Sequence, residues 1–183
     1  MKTIIVATGV SLAVLGSVPV SAVSISYNRP LTNACYEAAA LKRAPDGIAK
    51  CNAAISFEAT TSRERTASLV NRGILLLLAD KATDAGRDFD EALMSDPRQP
   101  EALLGKAIEQ WRAGNNAGAV ELATRSLQNG PRRPAVAYLI RGLANEQQGQ
   151  LRAAYSDLQT ARQLEPSWNE PADQLRRYKV ISR

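Results

Sequence analysis

The stretch AVAYLIRGLANEQQGQLRAAYSDLQTARQLEP, residues 135–166, decides the fold, because its small and large residues return upstream at fixed intervals. Within it Gly142, Ala154, Leu158, Ala161 and Pro166 step by 12, 4, 3 and 5 residues, and Gly73, Ala85, Phe89, Ala92 and Pro97 step identically. Between them a degenerate copy, Ala107, Ala119, Ala123, Ser126 and Pro131, keeps the same steps, 34 residues after the first set and 35 before the third. Self-similarity at this period marks an array of repeats. Such an array points to binding rather than to chemistry, and it does not name the ligand.

Inside each repeat the apolar residues recur at three- and four-residue steps, with glycine or proline between segments, so the elements are helices. The first clear pair is predicted from about Thr66 to Ala79 and about Asp84 to Ser95, stopped at Asp96-Pro97 because the residue before proline is pushed out of helical geometry. The next pair starts near Pro100, turns at Gly114 and closes at Asn129-Gly130-Pro131, where glycine and proline both suit a helix stop. A third starts near Pro134, turns at Gly149 and continues from about Leu151 to Glu165. The 12-residue step from Gly73 to Ala85 places two small residues face to face where antiparallel helices cross, and Phe89 and Leu158 fill the space beyond.

The pattern resembles the tetratricopeptide repeat, a two-helix unit with a large residue, a Gly or Ala, an Ala, an aromatic, another Ala and a closing Pro. Tyr138, Gly142, Ala154, Tyr155, Leu158, Ala161, Leu164 and Pro166 carry the best match. Leu69 stands where the family often has Trp, and Ala107, Ala123 and Ser126 depart from the motif in the middle unit. The resemblance implies an all-α solenoid of antiparallel helix pairs: about four units, near 28–61, 66–99, 100–133 and 135–168, and a capping helix over 168–181. That final helix follows a capping-box spacing at Ser167 and Glu170, with Pro171 in its first turn. Leu175, Tyr178 and Trp168 are expected to cover the last unit, with Arg176, Arg177 and Lys179 in solvent.

On the same template Cys35, Gly47, Cys51 and Ala54 reproduce the steps 12, 4 and 3, which reveals a unit near the amino end with helices over about Thr32 to Lys42 and Pro45 to Phe57. A polar connector, Thr60 to Arg65, joins it to the next. Cys35 and Cys51 fall on facing helices of one hairpin, so a disulfide is expected there. It would close a loop of about 15 residues and stabilise by about 3 kcal/mol. The alternative is a pair of reactive or metal-binding thiols; the chain has no His, and the spacing matches no metal or redox motif.

The chain opens with Lys2, an apolar run from Ile4 to Val18, and the small residues Pro19, Val20 and Ala22, which read as a signal peptide over 1–22 cut after Ala22. An uncut membrane anchor is the competing reading, but the run is short of the roughly 20 residues a span needs. Residues 23–183 then form one helical-repeat domain, periplasmic or secreted from a bacterium, with no stable membrane span after cleavage. Cleavage takes the formal charge from +5 to +4. The remaining bases interleave with acids, and no nucleic-acid motif appears.

Catalysis is not expected: general acid–base chemistry most often uses His, and there is no phosphate loop or nucleophile motif. Asp84, Asp88, Asp90 and Glu91 sit on a predicted outer helix, where solvation is the ordinary explanation. No catalytic residue, cofactor or metal site is assigned.

The resemblance further implies a concave surface lined by the first helix of each unit, where a peptide or helix of a partner protein would lie. Here that surface would carry Tyr36, Val70, Ile74, Leu77, Leu78, Leu104, Ile108, Trp111, Leu139 and Leu143. The family's carboxylate clamp needs Lys and Asn, and Val70 and Ile74 stand in those places, so an acidic chain terminus is not the expected ligand. The helix around Gly73–Ala79 is apolar almost all round and requires cover on more than one side. A partner's segment, tighter curvature or the protein's own ends could provide it. The expected function is an envelope adaptor; the alternative is a self-associating structural component, a homo-oligomer.

Overall fold

The computed structural model describes residues 2–6, 30–58 and 61–182 of the 183-residue chain. Eight helices stack as four antiparallel hairpins: α1 (Pro30–Ala40) with α2 (Ala44–Ala53), α3 (Ser62–Leu78) with α4 (Ala82–Ser95), α5 (Pro100–Arg112) with α6 (Asn116–Gln128), and α7 (Pro134–Gln147) with α8 (Leu151–Leu164). A π-helical turn, Ala54–Glu58, prolongs α2. Each hairpin packs on its sequence neighbours, so α1, α3, α5 and α7 form an inner layer and α2, α4, α6 and α8 an outer one. This is the predicted all-α solenoid.

The small-residue steps do what their spacing implies. Ala85, Ala92, Ala107, Ala119, Ala123, Ala154 and Ala161 are all fully buried, letting helices cross closely in one continuous core that runs from Leu69 to Ala161. Gly114, Gly130 and Gly149 hold φ of 80°, 72° and 73° at the turns, a conformation that costs other residues a clash between Cβ and carbonyl oxygen. A second small cluster joins Cys35, Ala38, Ala39, Cys51 and Ala54 to Leu75 of the next unit. The expected disulfide is present between Cys35 and Cys51, with Cα atoms 4.5 Å apart.

Three expectations are corrected. The stretch read as a connector into the second unit is partly helix: Thr61 caps α3 through a reciprocal capping box with Glu64, so the helix begins at Ser62 rather than near Thr66. The final helix, expected to reach Ile181, ends early: α9 spans Asn169–Leu175, its N-cap is Trp168, and no side chain caps it. Beyond it Tyr178–Ser182 forms a strand, β2, which pairs antiparallel with β1 (Lys2–Val6) from Lys2 opposite Ser182 to Val6 opposite Tyr178. Tyr, Val and Ile in this tail favour an extended backbone, and the ladder satisfies peptide groups that a frayed helix would leave open. Third, Arg177 is not a solvated cap, since it donates to Glu146 of α7 with its side chain only 19% exposed. Leu175, Tyr178 and Trp168 do pack on the last unit as expected.

The strand β1 falls within the segment read as a leader; the cut after Ala22 lies outside the described residues. No described helix is long and apolar enough to cross a membrane.

Candidate functional site

Nine of the ten predicted groove residues belong to or pack against one core cluster that crosses the units, and Tyr36 packs instead against the separate cluster of the first unit. Tyr36 comes from α1; Val70, Ile74, Leu77 and Leu78 from α3; Leu104, Ile108 and Trp111 from α5; Leu139 and Leu143 from α7. The order follows from the repeat: Ile74, Ile108 and Leu143 each stand one residue after the small residue of the crossing, and Val70, Leu104 and Leu139 three before it. What the sequence did not reveal is that most of these residues are buried in the core. Val70, Ile74, Leu104, Ile108, Leu139 and Leu143 lie between 0% and 6% exposed, and Trp111 at 8%. Tyr36 and Leu78 are half-buried.

Position sets the ends of this floor. In α7 the place held by Leu77 in α3 and Trp111 in α5 belongs to Glu146. Its carboxylate accepts hydrogen bonds from Arg177 at 2.5 Å and from the Tyr178 hydroxyl at 2.6 Å. The ring of Tyr178 also lies 5.6 Å from that of Tyr155. The carboxyl-terminal strand is thereby fastened to both helices of the last hairpin, α7 and α8. Burial first, and the bond to Glu146 second, push the Tyr178 phenol well above its ordinary range. At the other side Arg112 of α5 donates to the carbonyl of Leu77, at 3.1 Å, adding to the bond that this carbonyl at the end of α3 already accepts from the Asp80 N–H. Burial lowers its pKa, and Asp80 partly opposes this.

Around the floor, charge serves structure. Asp88, expected in solvent, is 5% exposed and holds Arg72 with two hydrogen bonds, and Asp157 holds Arg141 in the same way. The hydrogen-bonded carboxylates raise both arginine pKa values against the opposing effect of burial. A cavity of about 480 Å³ opens at the starts of α3 and α5, among Ser62, Thr66, Gln99, Glu101 and Arg132. Glu101 is buried there and accepts from the Gln99 amide and the Arg132 backbone N–H, both at 3.1 Å. No group of His, Cys, Asp and Glu that could hold a metal occurs among the described residues.

No family model matches the chain, and no curated protein does. Solved structures do. The first tetratricopeptide domain of human RPAP3 is 23% identical, over 61% of this chain and 87% of that one, with a TM-score of 0.56. The first such domain of Spaghetti (RPAP3), bound to the HSP90 peptide SRMEEVD, is 23% identical over 65% and 93%, with a TM-score of 0.57. MamA from Desulfovibrio magneticus RS-1 is 20% identical over 80% of each chain, with a TM-score of 0.63. The architecture is therefore that of the tetratricopeptide solenoids.

Proposed function

We propose that this chain is a non-catalytic adaptor of the bacterial envelope whose concave groove takes an apolar peptide or helix of a partner protein. One observation supports the reading: Val, Ile, Leu and Trp recur at one register on α3, α5 and α7, the first helices of three successive hairpins in a tetratricopeptide-type array. Apolar grooves of this kind accept a partner helix or extended segment through its alternating or i, i+3, i+4 side chains. The leader-like amino terminus and the Cys35–Cys51 disulfide support an exported, oxidising location. The solved RPAP3 domain holds an acidic peptide; with Val70 and Ile74 in the clamp positions, this groove suits an apolar ligand instead.

The test is a crosslinked pull-down from an envelope fraction with the native chain and Trp111→Ala. Native capture that falls at least tenfold in the variant supports the groove. Because Trp111 is a core residue, the comparison is run well below the variant's own melting temperature. Equal capture by both forms removes Trp111 from the site. A stable oligomer in light scattering that captures nothing else replaces the adaptor with a self-associating envelope component.

A further inference from the structure

Glu101 is a buried carboxylate held by neutral groups. It stands in the first turn of α5, is 5% exposed, and lines the cavity of about 480 Å³ at the starts of α3 and α5. The Gln99 amide donates to one of its oxygens and the Arg132 backbone N–H to the other, each at 3.1 Å, and no ion pair to it occurs among the described residues. An ionised carboxylate offers about four acceptor positions, and a buried charge is costly unless a cation or further donors meet it. Half of that capacity is unused.

The repeat itself does not ask for an acid at this place. The same register holds Ala67 in α3 and Val136 in α7, both buried, so the hairpins stack on an apolar side chain there. Around Glu101 the polar character continues, because the buried Thr66 and Gln99 line the same cavity, as does Ser62. Arg63 and Arg132 line it too, but both are exposed, where water and salt screen a charge far better than they screen the buried carboxylate. Glu101 also stands three residues before Leu104 and seven before Ile108, on their face of α5. The cavity therefore adjoins one end of the row expected to meet a partner segment.

We propose that this cavity takes the cationic head of a lysine or arginine side chain from the partner, with the Glu101 carboxylate as its counter-charge and the hydroxyls of Ser62 and Thr66 as further acceptors. The inference rests on the array being a binding scaffold, and it sharpens the ligand: an apolar segment that carries one basic residue at the end lying over the starts of α3 and α5. The volume is that of a pocket for a small ligand or one long side chain. An anion drawn in by the exposed arginines would meet the carboxylates of Asp96 and Glu101 in the same lining.

The test titrates the full chain with N-acetyl-arginine amide, N-acetyl-lysine amide, the neutral N-acetyl-glutamine amide and inorganic phosphate, following the backbone amide signals of Ala67 and Ala102 by NMR. The basic probes are expected to shift these signals saturably, and the neutral one to leave them in place. Glu101→Gln keeps an acceptor for the Arg132 N–H while removing the charge, and is expected to weaken the basic probes roughly tenfold, because charge-assisted hydrogen bonds are about twice as strong as neutral ones. Equal midpoints in native and variant, no response to either base, or a response to phosphate alone overturn the proposal. Should Glu101→Gln fold poorly, Glu101→Ala, which gives α5 the residue that α3 carries at this register, reads the same point. A chain that binds the basic probes through Glu101 yet captures no partner sinks the adaptor reading alone. Partner capture that is equal in native and Glu101→Gln, with no response to the basic probes, sinks this inference alone.

Discussion

Arg72 grips Asp88 across the α3–α4 hairpin with hydrogen bonds of 2.8 and 2.6 Å, and Arg141 grips Asp157 across α7–α8 with bonds of 2.9 and 2.7 Å. Each arginine also reaches the outer helix of the preceding unit, at Asn52 Oδ1 for Arg72 and Thr124 Oγ1 for Arg141. The intervening unit solves the same problem differently. Lys106 stands in the arginine's place and Leu122 in the aspartate's, and Lys106 bonds Asp90 of the preceding outer helix at 2.7 Å. One cation thus ties its own hairpin or its neighbour, and the acid moves accordingly.

Removing one partner of such a pair leaves the other partly buried without compensation. The arginine is 24% exposed and the aspartate side chain 7%, so Asp88→Ala is expected to cost about 2 kcal/mol, below the range for fully buried pairs. Transplanting the middle unit's solution, Asn52→Asp with Arg72→Lys and Asp88→Leu, is expected to recover at least half of that loss. Urea unfolding of the three proteins checks both steps; a single mutant within about 0.3 kcal/mol of native would show the pair to be a solvated contact.

Phe89 fills the junction between the second and third units because two glycines make room for it. A Cβ at Gly73 would stand 2.5 Å from the ring, and one at Gly105 would stand 2.3 Å from it. Alanine normally gains about 1 kcal/mol over glycine in a helix, but overpacking of this kind costs 1–3 kcal/mol or more, so Gly105→Ala is expected to destabilise. At the equivalent places one junction later, Ala123 and Ile140 reverse the sizes, and both are fully buried. The double change Phe89→Ala with Gly105→Ile is therefore expected to melt above Phe89→Ala alone by several degrees. Calorimetry decides, and a double variant that melts lower would mean the junction cannot exchange volume across the two helices.

The disulfide holds the first hairpin, whose helix neighbour among the described residues is α3. Cys35 and Cys51 are both fully buried beside Leu75. Closing a loop of this size stabilises by about 3 kcal/mol, and in a stacked array that loss falls first on the terminal unit. Cys35→Ser with Cys51→Ser is expected to raise hydrogen exchange throughout α1 and α2 while α5 to α8 stay protected. Uniform loss of protection along the chain would instead indicate that the array opens as one unit.

Residues that mark each crossing of helices were legible in the sequence because they recur at one spacing: Gly73, Ala85, Gly142 and Ala154 carry the fold, and the same spacing led back to Cys35 and Cys51. What the sequence concealed depends on partners far along the chain. Gly105 looks like an isolated helix-weakening glycine until Phe89 of the preceding unit is placed against it. Asp88 looks like one acid among several on an exposed helix until Arg72, 16 residues earlier, turns toward it. The strand at Tyr178–Ser182 has its partner at Lys2–Val6, a pairing that no local propensity records. The residues expected to line a groove were chosen by register, and register alone does not tell that most of them lie in the core.

Tyr178 connects this tail to the array, and its ionisation can be followed directly. Its hydroxyl donates to Glu146 in a buried setting, and both effects raise its pKa above the ordinary value of about 10. A raised folded pKa means that the neutral phenol stabilises the fold. That contribution is complete below about pH 10 and is lost as pH rises through the folded value. The native absorbance titration at the phenolate band, minus that of Tyr178→Phe, should therefore show one phenol that ionises later than an ordinary tyrosine, in step with release of the carboxyl-terminal strand. In Glu146→Gln that phenol should titrate earlier, because a neutral amide accepts the bond more weakly than a carboxylate. A difference curve centred near pH 10 in the native protein would mean that the strand does not rest on Glu146 in solution.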